Sequence, residues 1–396
     1  MEHIRESLET PVTHSCRTAV AGGGVAGISA ALAAARHGAD VLLIEREFTL
    51  GGLATLGLIT IYLPICDGRG RQVIYGIGEE LIRLSALHGC EYFPEAWLGN
   101  GTAKDREETR FEVGFNPDLF ALECERLLLS NGVRILYGTQ ICSAARKDGR
   151  VTHIICENKS GRFAVECTNV VDATGDADVA VMAGANTSLF AGGNIAAGWY
   201  YSCSNGKREL NMIGFSEDPG SAIPEEERKK DRFSGVDGDE LSRMMIMSHS
   251  LTYGAWKDRL RGEPDAVPSS IAGIPQLRMT RRINGLSTPS SAEEGKDHPD
   301  SVGLFGDWRK CGPVYALPFG SLCSDNTLNL LAAGRDISVT DDMWDITRVI
   351  PCCAVTGEAA GTAAALFDDF RPDACGMMEL QARLRAGNVR LSMSEI

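Results

Sequence analysis

Short apolar runs that end in glycine recur along this chain, and they predict strands alternating with helices. Thr18-Ala19-Val20-Ala21 runs into Gly22-Gly23-Gly24-Val25-Ala26-Gly27 and then into a helix of small residues. Gly38 closes that helix, and Val41-Leu42-Leu43-Ile44 predicts a second strand ending at Glu45. Residues 58–65 are apolar and β-branched, Asp67-Gly68-Arg69-Gly70 is a loop, and Glu79 to Leu87 predicts a helix. Asn116-Pro117-Asp118 starts a helix with proline in its first turn, and Asn131-Gly132 stops it. Val133 to Tyr137 predicts a strand. Residues 140–146, 151–157 and 162–167 then predict a three-stranded meander, punctuated at Asp148-Gly149 and Ser160-Gly161.

Two more runs have the same form. Asn169-Val170-Val171-Asp172 predicts a strand that closes in Ala173-Thr174-Gly175-Asp176, and Leu328 to Ala333 one that closes in Gly334-Arg335-Asp336. Pro351 opens a last helix, rich in alanine and glycine through Ala365. Residues 186–312 are less periodic, with a charged run at 225–232 expected on a solvated face and a Ser/Pro/Glu-rich stretch at 287–300. Gly192-Gly193-Asn194-Ile195-Ala196-Ala197-Gly198 lacks a preceding strand and a later acid, so it reads as a loop or bend.

The expected fold is therefore α/β, a Rossmann-like domain with a parallel sheet, helices and a β-meander, carrying an inserted α+β substrate lobe. Residues 15–85, 115–185 and 313–396 form the nucleotide domain in this reading, and 86–114 and 186–312 the lobe. In the first turn Gly22 permits the bend, Gly24 lets backbone N–H groups approach a pyrophosphate, and Gly27 lets helix and strand pack closely. The helix start offers free donors and partial positive charge. Glu45, 18 residues past Gly27, is set to accept from ribose hydroxyls, which favours a free 2′-hydroxyl over the 2′-phosphate of NADP. An ordinary glycine turn is the competing reading, and the surrounding strand, helix and acid weigh against it.

The chain has 396 residues, room for a large core and two domains, and a net charge of −14 that argues against nucleic acid. No stretch predicts a membrane span, and the polar start is not expected to act as a secretory signal. The 13 cysteines have no C-x-x-C or zinc spacing, so no metal site is expected and reduced cysteines in a cytoplasmic protein are.

These pieces in this order resemble the FAD-dependent oxidoreductase family of the glutathione-reductase-like superfamily. The resemblance rests on the glycine turn, Gly51-Gly52, the meander into Asp172-Ala173-Thr174-Gly175-Asp176, Arg281-Arg282-Ile283, and the run from Ala316 through Gly334-Arg335 to Gly357-Glu358-Ala359-Ala360-Gly361. It implies FAD as cofactor. Gly22, Gly24, Val25, Ala26 and Gly27 would carry the pyrophosphate, and Glu45 and Arg46 the adenosine. Gly51, Gly52 and Thr55 would lie along the flavin side. Ile141 would meet the adenine, and Ala173, Thr174, Gly175 and Asp176 would close that end. Gly334 and Arg335 would run beside the ribityl chain, with Gly357 in the last helix completing the set. That helix would aim its positive end at the flavin pyrimidine.

For catalysis the candidates are Arg348 and Arg282, each able to hold a carboxylate or enolate oxygen, with ion pairs as the competing reading for both and for Arg281. Trp344 is expected in the core, and Cys352-Cys353 as inert packing rather than a redox dithiol. Family members can carry histidine in the segment 338–345; none is present here. His88, His249, His298, Tyr62, Cys66 and Asp67 remain loose candidates. The expected activity is hydride transfer between flavin N5 and a small organic substrate. The alternatives are an NAD-dependent dehydrogenase and a non-catalytic flavin-binding scaffold or subunit. The electron partner and the oligomeric state are left open, a homo-oligomer included.

Overall fold

The computed structural model describes residues 3–87, 93–99, 101–214 and 231–396. His88 and most of the charged run at 225–232 lie outside the described residues. The chain opens with β1 (Val12–Ala21), α1 (Val25–Arg36) and β2 (Val41–Ile44), followed by the short β3 (Ile61–Tyr62), α2 (Gly76–Ser85), α3 (Ala103–Glu108) and β4 (Val113–Gly114). Helix α4 (Pro117–Ser130) leads to β5 (Arg134–Leu136), and then come β6 (Gln140–Lys147), β7 (Arg150–Asn158), β8 (Gly161–Asp172) and α5 (Asp178–Met182). The middle section holds β9 (Thr187–Leu189), β10 (Tyr200–Ser204), β11 (Lys207–Asn211), α6 (Gly238–Gly262), β12 (Val267–Ile271) and β13 (Arg281–Ile283). The hairpin β14 (Ser301–Gly306) and β15 (Val314–Pro318) precedes β16 (Leu330–Ala332), α7 (Asp341–Thr347), α8 (Ile350–Leu366) and α9 (Ala374–Ala386).

The main sheet runs β5-β2-β1-β8-β7-β6, with β16 also on β8. Strands β5, β2, β1, β8 and β16 are parallel, and β7 and β6 extend the sheet as antiparallel neighbours. This is the α/β sheet expected, with one difference. Residues 162–167 and 169–172 are a single strand, β8, because no glycine or proline interrupts Val165 to Val171 and Asn169 stays in the ladder opposite Thr18. One edge of β8 pairs with β1 from Ala164 to Asp172. Its other edge pairs first with β7 and then, at Val170 to Asp172, with β16. Asn329 joins the two at that switch, its side chain exchanging hydrogen bonds with Val151 N and O at 2.8 Å each. Strand β1 likewise begins six residues earlier than Thr18, since its polar start pairs with β8.

Helix α8 lies directly against α1. Glycine makes this possible: a Cβ at Gly357 or Gly361 would overlap the carbonyl oxygen of Ala26 or Ala30. Residues Ile350 to Ala364 are all buried, which accounts for a helix apolar on every side. Its C-terminal carbonyls are answered by Asn169 Nδ2, 2.9 Å from Ala364 O, and by Arg17, 3.2 Å from Ala365 O. The exception inside this helix is Glu358. Its carboxylate accepts from Ile77 N at 2.8 Å, and burial pushes its pKa from 4.5 to about 8.

Ala196, Phe233, Met244 and Leu277 form a small apolar cluster apart from the main core. The three-stranded sheet β11-β10-β12 belongs to the same middle section. Trp97, Phe111 and Val113, and likewise Ile283, Val302 and Phe305, instead join the main core. The hairpin β14–β15 also crosses the boundary drawn at residue 313. Among the described residues no single helix is long and apolar enough to cross a membrane.

Two outcomes follow from α8. Gly361→Val forces α8 off α1 and costs about 1–3 kcal/mol of stability by thermal or denaturant unfolding. Glu358 has a folded pKa above its ordinary value, so the stability it contributes is complete below 4.5 and is lost as pH rises toward 8. Glu358→Gln keeps the acceptor for Ile77 and shows a smaller loss of stability than wild type over that interval.

Candidate functional site

A two-armed cleft opens at the carboxyl ends of β1, β2, β8 and β16, with a cavity volume of about 300 Å³. That lies at the lower end of the roughly 300–1,000 Å³ of ordinary small-ligand pockets, and its lining is drawn from many separate segments of the chain. Its centre is the glycine turn between β1 and α1. Gly22 has φ +96°, and a Cβ there would stand 2.6 Å from Ala173 O. A Cβ at Gly27 would overlap Gly22 O, so this residue closes the turn onto the helix. Gly24 differs: it caps α1, its φ is −67°, and nothing stands within 4 Å of where a Cβ would be. It faces the cleft, as do Val25 and Ala26 at the start of α1. Gly51, at φ +100°, pairs with Gly24 as a parallel bridge, and its N–H donates to Gly23 O at 2.8 Å.

The first arm leads from Glu45 and Arg46 to the meander, where Thr139 and Ile141 line it, and to Ala173, Thr174, Gly175 and Asp176 after β8. Glu45 accepts from Gly23 N and, at 2.8 Å, from Glu47 N, so it ties the glycine turn to the end of β2 while lining the cleft. Burial raises its pKa, and these two bonds oppose the rise. Asp172 lies wholly buried beneath this arm, accepting from Thr174 Oγ1 at 2.6 Å and Ala180 N at 2.8 Å. Asp178 lines the same end; burial and then the charges of Asp176 and Asp172 push its pKa to about 6.

The second arm passes Gly52, Leu53 and Ala54 and reaches Gly334, Arg335, Arg348, Ile350 and Cys353. Arg335 pairs with Asp176 at 3.1 Å, bridging the two arms. Arg348 ends α7 and bonds Asp345 through Nε at 2.6 Å. Helix α8 begins here, so a second helix N-terminus opens on the cleft. Cys353 donates to Arg348 O at 3.3 Å, and burial pushes its pKa to about 12, so its thiol stays protonated. Cys352 and Cys353 are both free thiols. The far wall comes from the middle section, as Leu241, Ile274, Pro275 and Leu277.

Most cofactor candidates, and Arg348, therefore share one cleft. Four candidates do not line it. Gly27 and Gly357 are used in packing, the first on Gly22 and the second on α1. Thr55 shapes the loop from behind, donating to Leu50 O at 2.6 Å and filling the space beside Gly51. Arg282 stacks over the Trp344 ring at 5.4 Å and faces Asp341 at 3.6 Å, and Trp344 itself is buried core. Arg281 bonds Asp178 at 2.7 Å. Among the looser candidates, Tyr62 donates to Gly78 O at 2.8 Å, Asp67 holds its own loop through Arg71 at 2.8 Å, and His298 pairs with Glu293 at 3.0 Å. None of the three, nor Cys66 or His249, lines the cleft. The wall residues 274–277 carried no motif, and proximity to the cleft arises only from the fold. Among the described residues no group of three or more His, Cys, Asp or Glu is placed to hold a metal.

A family model described as FAD dependent oxidoreductase matches residues 18–197 and 204–384. The chain belongs to this family. It is an enzyme, and FAD is its cofactor, which removes the NAD-dependent and scaffold alternatives. A search of curated proteins gives no match. Similar solved structures include a geranylgeranyl bacteriochlorophyll reductase-like protein from Thermoplasma acidophilum, at 14% identity, 94% coverage of this chain, 84% of that chain and a TM-score of 0.45. They also include p-nitrophenol 4-monooxygenase from Pseudomonas putida, at 10% identity, 95% and 86% coverage and a TM-score of 0.46. An aromatic hydroxylase from angucycline biosynthesis gives 13%, 94%, 66% and 0.46. The residues of the FAD dependent oxidoreductase cleft fit the cofactor on the structure's own terms. Gly24 leaves open the space that a pyrophosphate needs, the start of α1 presents donors to it, and the start of α8 opens on the second arm.

Gly24 and Gly27 therefore separate binding from folding. Gly24→Ala adds a methyl in allowed backbone, keeps the melting temperature of the apo-protein, and weakens FAD about tenfold or more, about 1.4 kcal/mol, in a flavin fluorescence titration. Gly27→Ala lowers the melting temperature itself.

Proposed function

We propose that this enzyme moves a hydride between flavin N5 and a small organic substrate held between the flavin and the wall at Ile274, Pro275 and Leu277. In this reading Gly22, Gly24, Val25 and Ala26 receive the pyrophosphate and Glu45 the adenosine ribose. Ile141 and Gly175 bound the adenine end, and Gly334 and Arg335 follow the ribityl chain. Bound FAD supplies a two-electron centre that takes up or gives a hydride.

What supports the reading is the chemistry of the second arm. Its lining holds two guanidinium groups, Arg335 and Arg348, and one protonated thiol, Cys353. The lining carboxylates Glu45, Glu47, Asp176 and Asp178 belong to the first arm. The second arm is thus made to stabilise negative charge and offers no carboxylate base among the described lining residues. Arg348 is held in orientation by Asp345, and its guanidinium stabilises an oxyanion that develops on substrate or flavin. The apolar wall excludes water from the reacting face.

Anaerobic titration of the purified, FAD-loaded protein with hydroxy acids, sugars, amino acids and NAD(P)H tests this. One class bleaches the visible flavin bands, and Arg348→Gln slows that bleaching roughly 10²-fold with FAD content unchanged. A fully loaded protein whose flavin none of these classes reduces overturns hydride transfer from them.

A further inference from the structure

Arg278 is a buried cation that neither the cofactor cradle nor the main core accounts for. It is only 5% exposed, and among the described residues no carboxylate lies within ion-pair distance of it. Its Nη1 donates to Gln276 O at 3.0 Å and Leu277 O at 3.5 Å, and its guanidinium lies 5.4 Å over the Trp199 ring. Nε and Nη2 make no hydrogen bond to a described residue, and neither is wholly enclosed, so each keeps a trace of accessible surface. Arg278 is not itself a lining residue but stands next to the cleft. Leu277 beside Arg278 lines it, and the cleft residue Arg335 donates to Arg278 O at 3.0 Å.

The two other arginines here already have acids: Arg335 has Asp176, and Arg348 has Asp345. Burial and then the charges of Arg348 and Arg335 push the Arg278 pKa down to about 9. An enclosed charge without a counter-ion is costly, and stacking on a tryptophan offsets only part of that cost. A planar guanidinium with two donors left without a partner among the described residues matches a carboxylate.

We infer that Arg278 is the anion-recognising residue of the substrate site and that the substrate carries a carboxylate. The inference rests on the proposed function for the location of the substrate, and it names the class. A carboxylate on Arg278 completes the missing ion pair and is held beside the wall formed by Ile274, Pro275 and Leu277. An uncharged analogue leaves the guanidinium as it stands.

The test uses the FAD-loaded enzyme with acetate, benzoate and succinate, each against its amide, followed by the shift of the visible flavin spectrum. At least one acid binds about tenfold or more tightly than its amide. Arg278→Gln removes that preference with FAD content and amide binding unchanged, and Arg278→Lys restores part of it. Where Arg278→Gln does not fold, competition in the wild type decides: formate displaces the bound acid and formamide does not. Acids that bind no better than amides, acids that do not bind, or a preference that survives Arg278→Gln overturns the inference. If the protein holds no flavin, the flavin reading fails instead, and calorimetry with the same acids and amides tests Arg278 separately.

Discussion

The close approach of α1 and α8 governs this molecule. The two helices meet backbone to backbone because Gly357 and Gly361 stand where a side chain would strike Ala26 O and Ala30 O. Small residues fill the rest of the seam, so dispersion and apolar burial hold it without a ladder of hydrogen bonds. The geometric consequence is larger than the energetic one. Two helix starts, at Gly24 and Val349, open on one cleft from adjacent positions. One stands at the centre of the cleft and the other at its second arm.

Charge is divided along the cleft in a way that matches this arrangement. The first arm carries Glu45, Asp176 and Asp178, and the second carries Arg335, Arg348 and the protonated Cys353. Hydroxyl-rich adenosine calls for acceptors, and a centre that gains electrons calls for cations. Arg335 and Asp176 meet at 3.1 Å between the arms, which neutralises the junction, and Arg348 is paired in turn with Asp345.

Local patterns were legible in the chain, and long-range ones were not. Gly22, Gly24 and Glu45 are readable because a strand, a turn and a helix of fixed length bring them together. Gly357 shares the composition of a ligand glycine but serves packing, and only the position of α1 distinguishes the two. Arg282 was a fair candidate until Trp344 stood beside it. Arg278, Ile274 and Leu277 sit in a stretch without periodicity, and their nearness to the cleft depends on how the middle section folds back. Glu358 was hidden for a similar reason: nothing in an Ala/Gly helix tells that the one acid faces inward, against Ile77.

Strand β8 runs unbroken from the meander to Asp172 and carries β7 and β16 in succession on one edge. The wall at Ala173 to Asp176 and the wall at Gly334 and Arg335 are therefore fastened to the same rod. Such a frame behaves as a gauge: the separation of these two walls is fixed by the sheet, not by loops. The section between β9 and β13 supplies the opposite wall, through Leu241, Ile274, Pro275 and Leu277. The two sides of the cleft are therefore built from separate parts of the chain.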